Sequence, residues 1–295
     1  MSLREFLVLF LICLIWGLHF VVMKVTVGDT ADPLFYAALR MSIVALIMLP
    51  WLKWHKGLMR PVLGVGLAYG ALNYAFMFPA LGMTTASAAA ITIELYVPFS
   101  IILSVIVFRD KIGLYKTLGI LMAFLGVIII ASAKPDETAG PYFVWGIILM
   151  VGAAMCEAVG AVLVKLLKGV GPLHLLAWCA VIGSAVLWPL SLALEDNQLE
   201  AFAPDTRNAF ILALIYSALI VSIVAHSCYY WLLQRLPIYI VSSTGLMTTV
   251  IAVIASAVLL GEALTLNLLL GGVITLGGIG LILARKNKAA VTPPT

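Results

Sequence analysis

The sequence predicts an all-α membrane protein: ten transmembrane helices arranged as two inverted five-helix repeats around a central cavity. Three observations carry this expectation. Of 295 residues, 64% are hydrophobic and only 10% charged, with a mean hydropathy of +1.17, which is more apolar sequence than a soluble domain buries. The apolar sequence falls into runs of roughly 20 residues, the length that crosses about 30 Å of hydrocarbon. Finally, the second half echoes the first at an offset of 152 residues: Ser104 falls on Ser256, Asp110 on Glu262, Gly119 on Gly271 and Gly126 on Gly278.

Cut at charges, prolines and glycines, the runs lie at about residues 6–27, 33–52, 62–83, 86–108, 114–133, 142–164, 172–194, 209–233, 238–260 and 265–284. Hydrocarbon offers the backbone no hydrogen-bond partner, so each run is expected to be a helix that satisfies its own N–H and C=O groups. Residues 1–27 lack a small-residue cleavage site after a short apolar core, and read as a retained helix. The connections are short, the longest being the acidic stretch 195–208, which leaves no room for a soluble domain.

Charge sets the orientation. With the amino terminus in the cytoplasm, one side receives Arg4, Lys53, Lys56, Arg60, Arg109, Lys111, Lys116, Lys165, Lys168, Arg235, Arg285, Lys286 and Lys288. The other side receives only Lys24, Lys134 and Arg207, together with Asp29, Asp32, Asp136, Glu137, Glu195, Asp196, Glu200, Asp205 and Glu262. Positive charge gathers on the cytoplasmic face, so both termini are expected there. The Pro33 to Pro50 spacing of 17 recurs from Pro172 to Pro189, which supports a duplication into residues 1–134 and 135–288 with a disordered tail at 289–295. Five helices is an odd number, so the second copy enters from the opposite side. Inverted repeats that meet around a midplane site are a recurring transporter design.

Polar side chains inside the spans mark where such a site lies. Residues 86–108 carry Glu94, then Tyr96, then Pro98. A carboxylate at this depth costs roughly 2.5 kcal/mol or more and needs a partner, a proton or a water-filled cavity. The proline withdraws a backbone donor beside it. Trp16, His19 and Met23 share one helical face, as do Tyr69, Asn73, Phe76 and Met77, and Ser222, His226, Tyr229 and Tyr230. Ser242, Ser243, Thr244 and Thr248 follow in the ninth span, and Glu157 sits among small residues in the sixth.

Each of these has a plainer explanation. Hydroxyls bond their own helix backbone, Gly66 and Gly70 mark a close helix crossing, and the small residues around Glu157 form a packing seam. Trp51, Trp54 and Tyr142 read as interfacial anchors. Arg40 is the clear base within a span, and a structural ion pair with Glu94 is the alternative to a site role for either. No GxxxxGK[ST] loop, HExxH or GxSxG occurs, and Cys13, Cys156, Cys179 and Cys228 are scattered in apolar runs. Neither ATP hydrolysis, enzymatic activity, a metal nor a cofactor is expected, and the basic rim gives no reason to invoke nucleic acid.

Two five-helix halves, Trp16, Gly17, Phe20 and Lys24 in the first helix, Arg40 after Pro33, and Leu260, Gly261, Glu262 followed by spaced glycines resemble the drug/metabolite transporter superfamily in its ten-helix EamA-type branch. Within it the chain looks most like bacterial exporters of aromatic and other hydrophobic amino acids. The resemblance implies a multi-pass protein of the bacterial inner membrane, functional as a monomer, that exports a small molecule by alternating access without ATP. The halves have diverged: Glu157 stands where Trp16 would be echoed, and Val250 where Pro98 would be. Read together, the expected substrate-binding residues are Trp16, His19, Asn73, Tyr74, Met77, Glu94, Tyr96, Glu157, His226, Tyr230, Ser243, Thr244 and Thr248, on helices 1, 3, 4, 6, 8 and 9, with Pro79 and Pro98 as hinges. The second expectation is proton-coupled export of lipophilic cations or drugs, with Glu94 as the exchanging carboxylate; a packed, non-transporting scaffold is a third.

Overall fold

A computed structural model describes residues 2–29, 31–109, 112–133, 141–167, 169–233, 235–236, 241 and 243–284. The tail 289–295 lies outside the described residues. So do Asp110, Lys111, Lys134, Asp136, Glu137, Lys168, Ser242, Arg285, Lys286 and Lys288, and the side chains of Asp29, Tyr230 and Ser243.

Among the described residues ten apolar helices stand where the sequence places them. They are α1 (Leu3–Asp29), α2 (Pro33–Met48), α3 (Met59–Met83), α4 (Ala86–Phe108), α5 (Leu114–Ala131), α6 (Phe143–Val164), α7 (Pro172–Leu194), α8 (Arg207–Tyr229), α9 (Ser243–Leu259) and α10 (Leu266–Ala284). All but α9 are long enough to cross a bilayer, α2 with the 3-10 turn Leu49–Trp51 that continues it, and the start expected for α9 at residue 238 falls outside the described residues. Leu121, Ile128, Val258 and Val273 point outward, more than half exposed, as lipid-facing side chains do.

The two-fold relation between the halves is visible in how glycines pack. The most extensive helix contact joins α5 to α10. A Cβ added at Gly119 would meet the Gly278 carbonyl oxygen at 2.6 Å, and one at Gly278 would meet Gly119 at the same distance. Gly126 and Gly271 stand in the same reciprocal relation, at 2.4 and 2.5 Å. Between these pairs the Thr275 hydroxyl reaches the carbonyl of Ala123, its own counterpart at offset 152, at 3.4 Å. Partners descend along α10 as they rise along α5, so equivalent helices cross antiparallel on an axis perpendicular to them. That is the inverted repeat. α2 also packs antiparallel on α7, with Phe35 against Trp188 and the Ser42 hydroxyl 2.8 Å from that of Ser184.

Two carboxylates of the second half hold helix ends of the first. The opening amides of α4, Ala86 and Ser87, donate to Glu262 at 2.6 and 3.0 Å, and the Ser87 hydroxyl adds a bond of 2.7 Å. Those of α2, Leu34 and Phe35, donate to Glu195 at 2.6 and 2.8 Å. A helix start leaves its first N–H groups without intrahelical partners and carries partial positive charge, so a buried carboxylate suits it. Both clamps lie at one end of the bundle. There Lys24 Nζ also donates to the Leu81 carbonyl at 3.1 Å.

Three departures from regular helix are concentrated on α3, α4 and α8. α3 passes through a π-helical stretch at Gly66–Leu72, and α8 through another at Tyr216–Ala225, at corresponding places in the two halves. Wide turns of this kind often accompany functional sites. α4 breaks at Glu94 and Leu95, between Ala86–Ile93 and Tyr96–Phe108. The cause is Pro98. It cannot donate to the Glu94 carbonyl, which instead accepts from Val97 N–H at 3.0 Å. α9, with Val250 at the matching place, runs unbroken.

Candidate substrate cavity

A cavity of about 690 Å³ lies between the halves, within the range of small-molecule sites. Eight helices line it, and α5 and α10 do not. The six expected helices are joined by α2, through Arg40, Met41 and Val44, and by α7, through Leu175, Leu176, Cys179 and Ala180.

Trp16, His19, Asn73, Tyr74, Met77, Glu94, Tyr96, Glu157, His226, Thr244 and Thr248 all border this space. The side chains of Tyr230 and Ser243 lie outside the described residues, and Pro79 and Pro98 sit inside helices rather than on the lining. The signal from the sequence was one helix face at a time, and it did not show which faces converge. Tyr69, Tyr229 and Gly245 also line the cavity. Of these, Tyr69 and Tyr229 shared faces with expected residues; Gly245 had no chemical signal.

The aromatic wall is built by packing. Trp16 lies edge-on to His226, with ring centroids 5.2 Å apart, and 5.4 Å from Tyr229. Tyr74 stands edge-on to buried Phe78 at 5.4 Å. Such pairs are rigid apolar surface with a polar rim.

The polar groups are individually held. Glu94, 5% exposed, rests against Gly245, where an added Cβ would lie 3.0 Å from both carboxylate oxygens. The Thr249 hydroxyl is 3.1 Å from Glu94 Oε1 and 3.2 Å from the Ala90 carbonyl, with one proton to share between them. Asn73 donates to the Ala153 carbonyl at 2.9 Å, and the Thr244 hydroxyl donates to the Val241 carbonyl. His226 Nδ1 lies 2.9 Å from the Val221 carbonyl, which only accepts, so Nδ1 carries the proton. His19 Nε2 meets Ser217 Oγ at 3.1 Å, and Tyr36 reaches the same hydroxyl at 2.6 Å. Within the π-helical stretch Ser222 Oγ donates to the Ser217 carbonyl at 2.9 Å.

The ion pair weighed between Arg40 and Glu94 is not formed. Among the described residues Arg40 donates to Ser222 Oγ through Nε at 3.2 Å and Nη2 at 3.0 Å, while Glu94 takes Thr249. Glu157 faces the cavity with Ala161, whereas the small residues beside it pack on α3: Gly152 against Phe76 and Gly160 against Tyr69. The sixth helix is both a seam and a wall. Gly70 likewise marks a tight crossing with α7, where an added Cβ would fall 2.0 Å from the Cys179 carbonyl oxygen.

The cavity lining continues past Val65, Val164, Leu167 and Val170 to Pro172, at the end of the bundle where the 52–58 and 165–171 connections lie. At the opposite end stand the Glu195 and Glu262 clamps.

A bundle of inverted helical repeats that holds a polar, aromatic-walled cavity between its halves is a membrane solute transporter. The EamA-like transporter family matches residues 3–132 and again residues 144–284, and the chain belongs to it. Among its relatives is a "Probable amino-acid metabolite efflux pump" of Salmonella typhimurium (strain LT2), 29% identical over 95% of this chain and 94% of that protein. A protein of the same description from Escherichia coli (strain K12) is 27% identical over 95% of this chain and 94% of its own length. A solved crystal structure of a chain 15% identical superposes with a TM-score of 0.61 over 95% of this chain and 96% of that one, and shows the same fold.

Proposed function

We propose that this protein exports aromatic and other hydrophobic amino acids across the bacterial inner membrane, by alternating access and without ATP. One observation carries the reading: Trp16, Tyr74 and Tyr96 share a single cavity with Glu94 and Glu157. Rings supply surface for an apolar side chain, and a carboxylate meets its ammonium. The names of the two bacterial relatives support the same class.

The rest of the mechanism follows from the two ends. With both termini cytoplasmic, as the basic residues favour, the lined-through end faces the cytoplasm and the clamped end faces outward. This is the loading state. Substrate enters past Pro172 and Leu175, seats its side chain on the aromatic wall and its ammonium at Glu94. The halves, residues 1–134 and 135–288, then rock about their two-fold seam, releasing the clamps and closing the cytoplasmic mouth. Pro79 and the break before Pro98 are the hinges. Either a proton or the substrate ammonium balances Glu94 in each state.

Efflux of labelled phenylalanine from liposomes holding the purified monomer tests this. Saturable efflux is expected, reduced about tenfold or more in Glu94→Gln, the equivalent of one lost charge-assisted contact. No phenylalanine efflux, with or without a proton gradient, would overturn the reading. Gradient-dependent flux of a quaternary ammonium compound in its place would establish the cation exporter instead.

A further inference from the structure

We propose that Arg40 is the carboxylate anchor of the cavity, so that the solute carried is a zwitterion, with ammonium and carboxylate at separate poles, and not a simple amine or cation. The inference rests on the amino-acid reading above and assigns the part of the substrate that reading leaves without a partner.

Arg40 lines the cavity but is only 2% exposed. A guanidinium stays protonated in any protein setting, so its charge is permanent. At bilayer depth such a charge demands a counter-charge or dense hydrogen bonding. Nε and Nη2 are both spent on Ser222 Oγ, while Nη1 has no hydrogen-bond partner among the described residues. Ser222 is itself fixed by its bond to Ser217 in the π-helical stretch of α8. Among the described residues the arginine is therefore oriented by a neutral group and forms no ion pair.

Rings cover the guanidinium. Its carbon lies 5.0 Å from the centroid of Tyr74 and 5.9 Å from that of Phe78. Phe78 is fully buried behind the guanidinium and does not line the cavity, whereas Tyr74 is part-exposed on the cavity lining, so an incoming carboxylate would approach Arg40 from the Tyr74 side. Neutral donors also line the cavity, among them the Thr248 hydroxyl, the Trp16 indole N–H and the tyrosine hydroxyls, but none of them carries a charge to set against a carboxylate. The Thr244 hydroxyl proton is committed to Val241, one Asn73 amide proton to Ala153 and the His226 Nδ1 proton to Val221. Of these, the Thr244 oxygen, the Asn73 Oδ1 and the His226 Nε2 remain as acceptors, which suit an ammonium, and the second Asn73 amide proton remains a neutral donor. A planar fork of N–H donors is the natural match for a carboxylate. With Glu94 and Glu157 in the same space, the cavity has a positive pole and a negative one.

The test compares labelled phenylalanine with phenethylamine, the same molecule without its carboxylate, in proteoliposomes of the parent, Arg40→Gln and Arg40→Lys. The parent is expected to prefer phenylalanine. Arg40→Gln should lose phenylalanine efflux about tenfold or more while keeping phenethylamine efflux, so the preference reverses. Arg40→Lys, which keeps the charge without the fork, should fall between, and it decides the matter if the glutamine variant does not fold. An unchanged preference in a folded variant, or equal loss of both substrates, would overturn the assignment and leave Arg40 a structural residue. Absence of phenylalanine flux in the parent would instead overturn the amino-acid reading, and this assignment with it.

Discussion

Gly126→Ala is expected to lower the melting temperature of the purified protein, and Gly126→Val to abolish recovery of folded material. The added methyl of alanine would lie 2.2 Å from Thr275 Oγ1 and 2.4 Å from the Gly271 carbonyl oxygen. Backbone on the facing helix cannot step aside as a flexible side chain does, so α5 and α10 must separate. Overpacking of a close-packed interior costs about 1–3 kcal/mol for small additions, and the branched side chain adds more. The two-fold seam makes a second, sharper demand. Gly271→Ala meets the Gly126 carbonyl at 2.5 Å and should be destabilised to a similar degree, whereas Gly280→Ala, on the same helix with nothing within 4 Å, should be neutral or slightly stabilising. Melting curves in detergent that rank Gly126→Ala with Gly280→Ala would refute the seam.

Loss of the Glu262 carboxylate should act on the conformational equilibrium. In Glu262→Ala the amides of Ala86 and Ser87 lose their acceptor in a buried place, at about 1–3 kcal/mol for each unsatisfied donor. Thr85 continues to cap Ala88 at 3.1 Å, so α4 persists. The cost falls on the clamped state. A shift of more than about 1.4 kcal/mol changes a two-state ratio by roughly tenfold. In a background with the four native cysteines removed, a Met77→Cys reporter in the cavity should react with a membrane-impermeant maleimide, added from the Glu262 side, about tenfold faster in Glu262→Ala. Equal rates would show that the clamp is a local cap and no gate.

The parts of the molecule that sequence alone revealed are those written in one dimension. Hydropathy marks where ten helices run, and the glycines at 119, 126, 271 and 278 align because a two-fold seam needs them. Pro98 announces the break at Glu94 because a missing donor acts at a fixed distance along the chain. Contacts between distant segments were not legible in this way. Glu195 and Glu262 looked like two more outward acids, and only the fold brings them to the starts of α2 and α4. Arg40 was conspicuous as a charge, yet its partner, Ser222, is 182 residues away on a π-helical stretch that no composition signals. The contribution of α2 and α7 to the cavity was missed for a related reason: apart from Arg40, they present apolar side chains there, indistinguishable in sequence from lipid-facing ones.

Counterflow is the most direct test of a single cavity exposed alternately at two ends. Proteoliposomes loaded with millimolar unlabelled phenylalanine and diluted into a trace of the labelled amino acid should accumulate label transiently above its equilibrium level, because each outward passage of unlabelled substrate returns the site to face the label. Uptake that rises monotonically to equilibrium, with no overshoot and no saturation, would contradict a carrier that presents one site to each side in turn.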